Sequence, residues 1–264
     1  MSLVQRPVES LSSSIFSGFS EWQLSFRGRA LDMGTAYACT DNQTELLLVT
    51  GFGESYIEQI AADLGERGLK LAVCSLKYPT EVQLTPDVIE ATIYAGLSAV
   101  IRSINLNASR PVSTPIDLAG RSKGFAEVAK FASKHQNLCN SVTGSAPFGI
   151  NRGLDRFEIK RRLKASGLMS SVFQHPDAKR LASELTAGSA YIQSQDSIKI
   201  LKSLHKSGIL KKIVVGKDDP VCPPAECKEL LQLEQIIEIT EGGHNPLSSS
   251  IGIEQVMLAV EPVI

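Results

Sequence analysis

Apolar residues fall along this chain in short runs that stop at glycine, separated by longer stretches where they recur every third or fourth position. The run 45–50, Glu-Leu-Leu-Leu-Val-Thr, ends at Gly51 and reads as a buried parallel strand. Ile57, Ile60, Ala61 and Leu64 then predict an amphipathic helix over 55–67, with Gly68 where a C-cap belongs. The alternation continues with a strand at 69–76, a helix at 86–104, a strand at 116–119, a helix at 125–135 and a strand at 138–143. Two more buried strands are expected at 213–215 and 236–239, and a helix at 251–259 closes the chain. Ahead of all these, 21–39 reads as an antiparallel pair turning near Arg27-Gly28-Arg29. Strands alternating with helices imply right-handed crossovers, hence an α/β fold with a doubly wound, mainly parallel sheet.

Residues 151–197 break the alternation. They are more charged, largely helical in pattern and without an evident strand. The expected organisation is one domain spanning 1–264, with 151–197 as a small helical cap inserted over the sheet's C-terminal edge, where open α/β sheets bind ligands.

The 264 residues suffice for one well-buried core, and 43% hydrophobic with 21% charged residues suits a soluble globular chain. A net charge of −1 supplies no field for nucleic acid or an anionic membrane, so neither is expected as a partner. No apolar run reaches signal-peptide or membrane-span length. The five scattered cysteines do not form a disulfide framework, and together these features predict a cytoplasmic protein. No phosphate loop, dinucleotide fingerprint or cluster of metal ligands occurs, so no cofactor or metal is expected.

The candidate chemistry sits where strands end. Gly120-Arg121-Ser122-Lys123-Gly124 fits G-x-S-x-G between a strand and a helix, a sharp turn that exposes the serine hydroxyl. Such a hydroxyl needs a base. Of the four histidines, His135 ends a helix, and His175 and His205 lie in helical, solvated segments. His244 lies in Glu241-Gly242-Gly243-His244-Asn245-Pro246, a loop at a strand's carboxyl end, and fits best. In Gly216-Lys217-Asp218-Asp219-Pro220, Asp219 is the preferred acid and Asp218 a turn residue or cap; the plainer alternative is that both only build the turn.

The order Ser122, Asp219, His244 and their loops resemble the α/β-hydrolase family over roughly 21–264. The resemblance implies a serine hydrolase that cleaves a carboxylic ester or similar acyl bond of a small-molecule substrate. It also equates Thr50-Gly51-Phe52-Gly53 with the oxyanion loop, which implies backbone donors at Phe52 and Lys123 and substrate contacts at Gly51, Gly53 and Arg121. Alternatives are a thioesterase or acyltransferase working on a carrier-bound chain, and a hydrolase-like binding protein without turnover. Thr50 replaces the family's customary histidine, and Phe125 stands where a small residue usually follows the elbow. The run Arg156–Lys164 reads as a solvated helix face, with an anionic substrate or acidic carrier as the other reading.

Overall fold

The computed structural model describes residues 3–5, 16–26, 29–39, 44, 46–51, 61, 65–66, 70–78, 84–147, 156–167, 178, 182, 197–234 and 237–244. Its strands are β1 (Leu3–Gln5), β2 (Phe16–Phe26), β3 (Arg29–Cys39), β4 (Leu46–Val49), β5 (Leu71–Lys77), β6 (Ile116–Arg121), β7 (Cys139–Ser145), β8 (Leu210–Gly216) and β9 (Ile237–Thr240). They join in one sheet of order β1-β2-β3-β5-β4-β6-β7-β8-β9. From β5 to β9 every pairing is parallel. The antiparallel β1, β2 and β3 form the other edge.

Why this order forms can be read from the apolar runs. All four residues of β4 are buried, as are Ile116, Leu118, Ala119 and Gly120 of β6, so both faces of the central strands are covered. That requires helices. Among the described residues these are α1 (Pro86–Asn107), α2 (Lys123–Lys134), α3 (Arg156–Ala165), α4 (Ser197–Lys206) and α5 (Pro224–Leu231). Thr85 caps α1 by accepting the Val88 N–H, and Pro86 begins it. Its length buries Ile89, Ile93, Leu97, Val100, Ile101 and Ile104 in the same core as Leu47, Ile116 and Leu118. Leu118 is fully buried on β6, next to the sheet's middle strand. Leu118→Ala should therefore lower stability by about 2–5 kcal/mol, read as a lower urea midpoint at unchanged slope.

The expected alternation is present, with different ends. The antiparallel pair starts at Phe16 rather than 21, and β1 precedes it. The α2 helix starts at Lys123, directly after the serine. The predicted Ile251–Ala259 helix and most of the predicted 55–67 helix lie outside the described residues. Of 151–197, the described part is 156–167 together with Ala178, Ala182 and Ser197.

The solvated-face reading of Arg156–Lys164 holds at Lys160, Arg161 and Lys164, which are exposed, and fails at Arg162. Leu163 is buried in the core, and Arg162, only 16% exposed, pairs with Glu226 of α5 at 2.7 Å. Glu158 receives hydrogen bonds from Arg161 and then Arg162, which hold its carboxyl down to about 2. One face of α3 packs, and Phe157, Lys160, Arg161 and Lys164 remain outside.

Candidate active site

Three strand ends converge at the sheet's C-terminal edge. The first is the turn from β6 into α2. Ser122 has φ 51° and ψ −117°, a left-handed conformation that a side chain rarely adopts. The turn is held by the Ser122 N–H donating to Ser145 O of β7 at 2.9 Å. Its glycines are required for space. A Cβ on Gly120 would overlap the backbone of Phe125, and one on Gly124 would overlap the carbonyls of Val49 and Thr50. The large residue after the elbow is accommodated by a third glycine. Phe125 is 1% exposed and fills the place where Gly144 of β7 would carry its Cβ.

The second strand end is β8. After Gly216 the chain turns, and the Asp219 N–H donates back to Gly216 O at 3.1 Å. Asp219 is 2% exposed, and its Oδ1 accepts the N–H groups of Val221 at 2.7 Å and Cys222 at 3.0 Å. Those two donors fix the carboxylate's orientation. The third strand end is β9, whose loop carries Gly242 at φ 102°. The Asp218 N–H donates to Gly242 O at 3.0 Å, which ties the two loops together. Gly216 permits that approach, because a Cβ there would overlap the carbonyls of Gly242 and Gly243.

These turns bring the three side chains into a line. Ser122 Oγ lies 2.9 Å from His244 Nε2, and His244 Nδ1 lies 3.0 Å from both oxygens of Asp219. The Asp219 side chain is fully buried and that of His244 is 9% exposed. An imidazole so placed can take a proton from the serine while a buried carboxylate stabilises its charged form. Asp218, by contrast, is exposed.

The remaining candidates are placed unequally. Gly51 is buried against the elbow, its Cβ position 3.4 Å from Ser122 Cβ. Thr50 is tied to β5, its N–H and Oγ1 both donating to Cys74 O at 3.0 and 3.2 Å. Arg121 is half-buried at the end of β6. Lys123 opens α2 beside the serine, which puts its N–H at the positive end of the helix. Phe52 and Gly53 lie outside the described residues.

The other histidines serve elsewhere or fall outside. His135 caps α2 with its ring stacked on Phe131, His205 sits in the last turn of α4, and His175 is outside the described residues. Cys222 adjoins the acid loop, but hydrogen bonding to Cys227 and burial push its thiol well above the ordinary value, which leaves it a poor nucleophile. Among the described residues no group of His, Cys, Asp and Glu could hold a metal ion, and no helix is long and apolar enough to cross a membrane. Two polar features were not foreseen from sequence: the Val221 and Cys222 donors to Asp219, and a buried Tyr78–Lys123–Glu127 group beside the elbow.

No family model and no curated protein matches the sequence. Solved structures do. A probable hydrolytic enzyme from Pseudomonas aeruginosa PAO1 superposes with a TM-score of 0.62 at 13% identity, covering 93% of this chain and 94% of its own. The thioesterase domain from the curacin biosynthetic pathway gives 0.58 at 13% identity, with 92% and 99% covered. A thermophilic esterase from Thermogutta terrifontis gives 0.56 at 14% identity, with 90% and 96% covered. At such identities the likeness is one of fold.

Proposed function

We propose that this chain, which has the α/β-hydrolase fold, is a serine hydrolase that cleaves a carboxylic ester or a similar acyl bond through an acyl-enzyme. The observation that carries this reading is the continuous hydrogen-bonded line Ser122–His244–Asp219 on the ends of β6, β9 and β8. In the proposed reaction Ser122 Oγ attacks the acyl carbon as His244 Nε2 takes its proton. His244 Nδ1–H donates to Asp219, which keeps the correct tautomer and stabilises the imidazolium. The tetrahedral oxyanion is received by the backbone N–H groups of Lys123 and Phe52, with Gly51, Gly53 and Arg121 bordering the substrate. Collapse expels the leaving group, which takes the proton from His244, and water then repeats the sequence to free the acid.

Residues 151–197 are proposed as a cap that shapes the acyl pocket above this edge, within a single domain. The pinning of α3 to α5 through Arg162 and Glu226 supports a fixed base for it. Arg162 thereby serves packing, which leaves Arg161, 76% exposed, as the residue to change when testing for an anionic carrier.

A fluorophosphonate probe tests the reading. It should label one peptide, the one containing Ser122, and ester and thioester panels should then rank acyl chains and leaving groups. Labelling elsewhere, or none in folded protein, removes the nucleophile assignment. A labelled serine with no turnover on any ester or thioester would favour the binding-protein alternative instead.

A further inference from the structure

Beside the elbow lies a buried polar group that the proposed chemistry does not use. Lys123 Nζ is 2.5 Å from Glu127, with the two side chains 5% and 2% exposed. The Tyr78 hydroxyl donates to the same Glu127 Oε1, and the lysine ammonium sits 4.5 Å above the Tyr78 ring centroid. Tyr78 is itself buried, and Glu127 Oε2 is buried without a hydrogen-bond partner among the described residues.

Local energetics do not explain this group. A lysine in the first turn of a helix opposes the macrodipole. Lys before Glu at i,i+4 is the weaker order for such a pair. Burying the pair removes two charges from water, and an apolar replacement of similar volume is often neutral or stabilising. Local rules broken without local gain concentrate at functional sites.

Position supplies the gain. Tyr78 directly follows β5, whereas Lys123 and Glu127 belong to α2, which follows β6. Between those strands in the sheet lies β4. The end of β4 leads into Thr50-Gly51, and that loop is held on two sides already. Thr50 bonds to Cys74 of β5 through both N–H and Oγ1, and Gly124 of α2 packs directly under the carbonyls of Val49 and Thr50. The Tyr78–Glu127–Lys123 contacts join β5 to α2 and so close the third side of a triangle around the loop.

We infer that Tyr78, Lys123 and Glu127 are positioning residues that set the spacing between the elbow and the Thr50–Gly51 loop, and through it the aim of the oxyanion donors. This rests on the serine-hydrolase reading. The side chains act here, while the Lys123 N–H belongs to the backbone and survives any substitution except proline.

The test is the triple variant Tyr78→Phe/Lys123→Met/Glu127→Leu, which replaces every polar atom of the group by apolar volume, assayed with p-nitrophenyl butyrate. Its melting temperature should equal or exceed that of the wild type. Its kcat should fall by about 10- to 100-fold, as a displaced donor or nucleophile requires, with KM within about twofold. Unchanged kcat overturns the inference, as does a loss carried by KM alone. Should the triple variant not fold, Tyr78→Phe decides: the single hydroxyl's removal costs Glu127 a donor and some stability, but in protein still folded at the assay temperature it should lower kcat several-fold at unchanged KM, and an undiminished kcat overturns the inference. The underlying reading is separately exposed, because wild-type protein that fails to label at Ser122 overturns the hydrolase itself.

Discussion

Ser122→Ala should lower kcat by about 10⁶-fold while leaving the fold intact, since removing the nucleophile of a coupled triad costs about as much as removing all of it. Fluorophosphonate labelling should vanish with it. Alanine keeps a Cβ at φ 51°, so the strained backbone of the elbow stays strained and the melting temperature should hardly move. Ser122→Gly separates the two effects. Glycine is at ease at that φ and should raise stability by about 1 kcal/mol while being equally inactive. An inactive, more stable glycine variant is the expected signature of strain kept for function. If Ser122→Ala retained ester turnover, the nucleophile would have to be another residue and the hydrolase mechanism given above would fall.

The sequence made the frame and the candidate triad readable for one reason: each chemical residue follows the end of a short strand within four positions. β6, β8 and β9 are short and are followed within three positions by Gly124, Asp218 and Gly242, so strand period and loop chemistry agree at the same place. The structure brings His244 within hydrogen-bond reach of both Ser122 and Asp219, and the fold is the one the resemblance implied. Other features left weaker marks. Leu3–Gln5 is three residues with no alternation to recognise. Pro224–Leu231 carries Glu226, Lys228 and Glu229 and buries Cys227 and Leu231, too narrow a stripe to stand out from a loop. Arg162 resembled its solvated neighbours because its partner, Glu226, is 64 positions away. The Lys123–Glu127 spacing was visible, yet i,i+4 pairs are usually exposed. Only Tyr78, brought in from 49 positions before Glu127, makes this one buried and distinctive.

Asp219→Asn should lower kcat by about 10⁴-fold with the fold intact, and the hydrogen bonds explain why an isosteric change is so costly. Both carboxylate oxygens are 3.0 Å from His244 Nδ1, but Oδ1 alone also accepts the Val221 and Cys222 N–H groups. An asparagine has one oxygen, and it must take the Oδ1 place because an amide NH₂ cannot face two N–H donors. The NH₂ then occupies the Oδ2 place and donates to Nδ1. That forces the imidazole into the tautomer with its proton on Nε2, where it meets Ser122 as a donor and can no longer accept the serine proton. Asp218→Asn is the control. Asp218 reaches the histidine loop through its backbone N–H on Gly242 O, which the substitution keeps, and the residue is exposed. Its kcat should stay within about threefold of wild type, as for a surface change away from the reacting groups. Steady-state kinetics on one activated ester, with circular dichroism of each variant, would check both. A large loss at Asp218 with little at Asp219 would transfer the acid to Asp218 and require the β8 loop to rearrange in solution. Equal small losses would instead mean that His244 is oriented without a carboxylate.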